Sequence, residues 1–198
     1  MISFIYDGSF EGLMTAVKRV VNRGGKGDVV PPGGAQGSLF GAERVVTCQR
    51  EARQLLTDFH SAAGKRGLRT LMLVFLADHE PREKQILDYI RLALEENRDV
   101  GCWLTHPVVA QVVAKARRVS HEVHRFTGLL RFSQLADGSF YAPFEPDNNI
   151  VSALAPHFSR RMAAERWLIH DRRRNLGVFW DGKDLLPVLL AAESAEPE

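Results

Sequence analysis

The sequence predicts an α+β fold: a helical middle and a late antiparallel sheet that the N-terminal strand joins. Three observations predict it. An apolar run rich in Ile and Phe, Ile2 to Tyr6, opens the chain and suits a buried strand. Apolar residues then recur at steps of three and four through much of residues 10–126. From Leu130 the period changes to two. Strands and helices do not alternate along the chain, so no all-parallel sheet is expected.

The elements follow in order. Asp7-Gly8-Ser9 breaks the first strand, and Ser9 is placed to cap a helix. Phe10, Leu13, Met14, Val17, Val20 and Val21 give that helix one apolar stripe. Residues 24–43 hold seven of the sixteen glycines and the Pro31-Pro32 pair, without periodicity, which predicts a mobile loop with no core role. A helix is expected over about 47–62, and then residues 68–77 form either a helix or a buried strand. Asp78-His79-Glu80-Pro81 is a start signal for a helix running to about Asn97. Thr105-His106-Pro107 starts the longest helix, whose face carries Val109, Val112, Ala116, Val119, Val123 and Phe126 and which Gly128 ends. Asp137-Gly138 between alternating segments is a hairpin signal. Asp147 or Asn148 is expected to cap a helix carrying Leu154, Phe158 and Met162, which Pro156 kinks or restarts. Trp167 to Asp171 and Leu176 to Trp180 pair around a basic turn, Arg172-Arg173-Arg174-Asn175. Leu185 to Leu190 adds an edge strand or a short helix. The chain reads as a single domain over residues 1–190. Residues 191–198 form a frayed acidic tail or the start of a linker.

Composition narrows the function. A chain of 198 residues, 45% hydrophobic and 25% charged, is neither disordered nor fibrous. Two cysteines without a CxxC exclude a cysteine-ligated zinc ribbon or an iron–sulfur cluster held by this chain alone. The thiols read as reduced, which implies a cytoplasmic protein. The longest apolar run, Leu71 to Ala77, is too short for a bilayer, and no membrane association is expected. The first residues lack a basic n-region, so no secretory leader is expected.

Arginine outnumbers lysine 20 to 6, a bias suited to forked contacts with phosphate. Residues 115–174 carry 11 basic and 6 acidic side chains. Against this, the pI of about 8.7 lies just under the roughly 9 usual for nucleic-acid-binding domains.

Several constellations could carry chemistry. His121-Glu122-Val123-His124 lacks the HExxH spacing of a zinc protease, and no metal or cofactor is predicted. Residues 24–28, Gly-Gly-Lys-Gly-Asp, lack the spacing of a phosphate loop, and GxSxG and GxGxxG are both missing. Glu122, His124, His157 and Asp171 are the candidate acid–base residues. His157 and Arg161 share one helical face, which Glu165 extends by a turn. Arg131 and Phe132 fall on opposite faces of the first hairpin strand, where Arg131 is placed to hold phosphate or stack on a base. Arg131, Arg161, Arg172, Arg173 and Arg174 form the candidate nucleic-acid-binding set.

An ordered set of motifs adds a resemblance. It runs from Tyr6-Asp7-Gly8-Ser9-Phe10-Glu11-Gly12 through Glu122-Val123-His124-Arg125, Gly128-Leu129-Leu130-Arg131-Phe132 and Asp137-Gly138-Ser139-Phe140-Tyr141-Ala142. It continues with Pro146-Asp147-Asn148-Asn149-Ile150, Pro156-His157-Phe158 with Arg161, and Trp167-Leu168-Ile169-His170-Asp171 with Arg174. Over residues 1 to about 182 the chain resembles a bacterial domain of unknown function associated with DNA metabolism or repair. The resemblance implies a radical-SAM protein as partner and, in some members, fusion to a uracil-DNA glycosylase-like domain. Members usually continue with a segment rich in aromatic and arginine residues, where this chain has Ala-Glu-Ser-Ala-Glu-Pro-Glu.

Three functions follow as expectations. The first is a nucleic-acid-binding accessory of a DNA repair or modification system, with single-stranded or distorted DNA as its partner. The second is an enzyme acting on a nucleobase or nucleotide by His/carboxylate acid–base chemistry. The third is a docking scaffold without a site of its own.

Overall fold

A computed structural model describes residues 2–33 and 41–190. Its backbone contacts fall into two compact units, residues 1–117 and 118–198. It is an α+β structure.

The first unit contains β1 (Ser3–Ile5), α1 (Phe10–Asn22), β2 (Asp28–Val30), β3 (Ala42–Arg44), α2 (Gln49–Leu76), α3 (Arg82–Glu96) and the start of α4 (Pro107–Leu129). Here β1 departs from expectation. It does not join the late sheet but lies at the centre of a three-stranded, all-parallel sheet of order β2-β1-β3. Strand β2 falls inside the stretch expected to be a loop without a core role. Its Val29 is buried, and a side chain on Gly27 would run into Phe4 and Val20. Three-residue strands are too short to show a period, so the glycine content masked this one. Residues 34–40 of the expected loop, and the expected tail 191–198, lie outside the described residues.

The first helix forms as expected, with the Gly12 N–H donating to the Ser9 hydroxyl at 2.9 Å. The ambiguous stretch at 68–77 is helical. It fuses with the preceding helix into α2 across a break at Gly64, whose φ of 64° suits glycine. The core packs Phe4, Tyr6, Leu13 and Met14 with α2 and α3, where Phe59 meets Tyr89 edge-on at 5.8 Å.

The second unit holds the end of α4, β4 (Ser133–Gln134), β5 (Phe140–Phe144), α5 (Val151–Arg161), β6 (Trp167–Asp171), β7 (Leu176–Trp180) and β8 (Leu185–Leu189). The sheet order is β4-β5-β6-β7-β8. All its pairings are antiparallel except β5 with β6, which run parallel because α5 carries the chain back between them. Asp137-Gly138 makes its turn, with Gly138 at φ 82°. One face of the sheet packs on α5, where Phe158 lies 6.4 Å from Trp167 and Trp167 stacks on Trp180.

Pro156 does not restart α5, which continues through it as one helix. Pro156 and Ser152, whose carbonyl loses its partner, are both exposed, so water takes the missing bond. Neither Asp147 nor Asn148 caps the helix. The cap position is Ile150, without a side-chain bond.

Candidate nucleic-acid interface

Gly128 and Leu130, at and just past the end of α4, lead into Arg131 and Phe132. The last turn of α5 and its C-cap residue bring Phe158, Arg161 and Met162 to the same place, and together they line an open cavity of about 340 Å³. Arg131 and Phe132 precede β4 rather than lying on a strand. Their side chains still differ in burial: Arg131 is exposed and Phe132 is half-buried. The Phe132 ring meets Phe158 at 5.1 Å and Trp167 at 6.1 Å, both edge-on. Arg131 Nη1 donates to the Gly128 carbonyl at 2.8 Å, which fixes the guanidinium at the rim. Arg161 is exposed on the last residue of α5 and has no partner among the described residues. Glu165 does not extend its face, because the helix ends at Arg161.

The carboxylates of the acid–base set have other work. Glu122 is buried, although it sits beside the exposed His121 and His124 on α4. It accepts from Asp147 N at 2.6 Å, from Asn148 N at 3.2 Å and from Asn148 Nδ2 at 2.6 Å. Asp171 is fully buried at the end of β6. Its Oδ1 accepts from Arg173 N and Arg174 N, and its Oδ2 from Arg174 Nη1 at 2.6 Å. Arg174 also donates to the carbonyls of Pro146 and Asp147 at 3.1 and 2.8 Å. Both carboxylates therefore hold the 145–150 loop, one through its N–H groups and one through Arg174.

The histidines stand apart from this network. His124 contributes only its carbonyl, which accepts from Thr127. His157 packs edge-on to Phe158 at 4.9 Å, and its buried Nε2 has no partner among the described residues. No contact among the described residues joins either histidine to Glu122 or Asp171.

Of the five candidate arginines, Arg131 and Arg161 share the cavity. Arg172 is exposed and lies 3.8 Å from Glu145. Arg173 is exposed, and the Arg174 side chain, only 12% exposed, lies within the loop network.

Two polar clusters escaped the sequence. Tyr141 Oη and His170 Nδ1 are hydrogen-bonded at 2.7 Å across the parallel β5–β6 pair. Seeing that pair required knowing the strand register. In the first unit Tyr6 Oη donates to Glu83 Oε1 at 2.8 Å and accepts from Arg82 Nη2 at 3.0 Å. Burial opposes ionisation of Glu83, but the hydrogen bonds from Arg82 and Tyr6 outweigh it and lower its pKa. Burial raises the Tyr6 pKa, reinforced by the bond to Glu83. Arg82 Nη1 also donates to the carbonyls of Phe75 and Ala77, so the cluster ties the end of α2 to the start of α3.

Among the described residues no helix is long and apolar enough to cross a membrane, and no three His, Cys, Asp or Glu are grouped to hold a metal ion. A family model described as a domain of unknown function, DUF4130, matches residues 80–198. No curated protein matches the chain.

Proposed function

The chain belongs to the DUF4130 family of domains of unknown function, and from that premise we propose that it is a nucleic-acid-binding accessory of a DNA repair or modification system. One observation carries the nucleic-acid reading. Arg131 and Arg161, thirty positions apart in the sequence, line one cavity, and neither has a carboxylate within ion-pair distance among the described residues. Two guanidiniums at one mouth repel each other unless anionic groups neutralise them. Phosphate, which takes forked guanidinium contacts, is the anion that such a site favours. Sequence readout in a major groove is not part of the proposal, because the two cavity arginines are placed for phosphate, which carries no sequence information. The ligand is single-stranded or distorted DNA, held weakly and with little sequence preference. A radical-SAM protein is the proposed partner, supported by the motif resemblance alone. A uracil-DNA glycosylase-like domain is a further proposed associate on the same footing.

The acid–base reading is not favoured, since Glu122 and Asp171 already hold a loop. Fluorescence anisotropy of a labelled single strand over a range of salt concentrations tests the proposal. Two phosphate contacts predict that log K falls against log salt with a slope of roughly −1.4. Arg161→Glu should flatten that slope by roughly 0.7. Absence of salt-dependent binding at low ionic strength, together with capture of a radical-SAM protein, would favour the docking-scaffold reading instead.

A further inference from the structure

The cavity between Arg131 and Arg161 has walls that phosphate does not need. Leu130 and Phe158 are buried, Phe132 and Met162 are half-buried, and all four face a volume of about 340 Å³. That is the small end of the roughly 300–1,000 Å³ range of ligand pockets, and it suits one planar group rather than a run of them. We propose that this cavity is a pocket for a single unstacked nucleobase, the two guanidiniums that line it each taking one flanking phosphate. The inference rests on the nucleic-acid reading above and adds a base site to it.

Two features support it. The Phe132 ring is already fixed by Phe158 and Trp167, so stacking a base on this wall orders no loose side chain. Arg131 is likewise held in place by the Gly128 carbonyl.

The test compares a short thymidine single strand with an abasic strand of the same length, which has the same phosphates and no bases. The wild-type protein should bind the thymidine strand roughly tenfold more tightly, with equal salt slopes for the two. Gly128→Leu adds a bulky side chain at a position that lines the cavity; it should lower thymidine-strand affinity to the abasic level without changing the slope. Phe132→Leu, which keeps an apolar wall but removes the ring, should do the same and covers the case in which Gly128→Leu fails to fold. If both strands bind equally well to wild type, the base pocket is overturned while phosphate binding stands. If neither strand binds, the nucleic-acid reading fails and the pocket fails with it.

Discussion

Tyr89 shows how a single buried group can limit stability. Its hydroxyl has no hydrogen-bond partner among the described residues, and its side chain lies in the core against Phe59. Burial, then the nearby charge of Asp99, push its pKa up to about 12. The folded state thus holds that proton more tightly than the unfolded chain, whose tyrosines titrate near 10. The contribution is fully present below about pH 10 and is lost as pH rises through about 12. Tyr89→Phe should remove that part of the alkaline sensitivity and, by deleting an unsatisfied polar group, stabilise the protein at neutral pH by about 1 kcal/mol. Urea denaturation at pH 7 and pH 11 checks both effects. A loss of stability at pH 7 would show that the hydroxyl has a partner in solution. Glu122 predicts the opposite sign. Glu122→Ala strands the Asp147 and Asn148 N–H groups and should cost about 3 kcal/mol in the same assay. Glu122 was visible in the sequence only as part of a His-Glu-Val-His string; its role as a loop clamp depends on residues 25 and 26 positions away.

At the scale of elements, patterns carried by local chemistry were legible. The α4 stripe, the Asp-Gly turn and the Ser9 cap all appear where spacing and residue type place them. Non-local pairing was not legible. Strands β2 and β3 have three residues each and acquire their meaning only beside β1, and β5 pairs with β6 only because α5 returns the chain. Helix α2 read as two elements because Gly64 interrupts the pattern, which is physically what it does. Gly64→Ala should cost roughly 1–2 kcal/mol, since its backbone occupies a region that side chains avoid although the space around it is open. A thermal melt that does not move would show that the break is not held in solution.

For the whole molecule, arginine bias and uneven charge pointed to five candidate arginines. Charge alone could not separate Arg131 and Arg161, at the cavity, from Arg174, which is tied into the loop beside Asp171. That separation follows from how β6 and α5 end, which no spacing in the sequence reveals. The most direct test of the central claim is amide chemical-shift mapping of the labelled protein as a single strand is added at low salt. Shifts should cluster at residues 128–132 and 158–162 and shrink with added salt. Shifts confined to other residues, or none at all, would contradict a nucleic-acid site at this cavity.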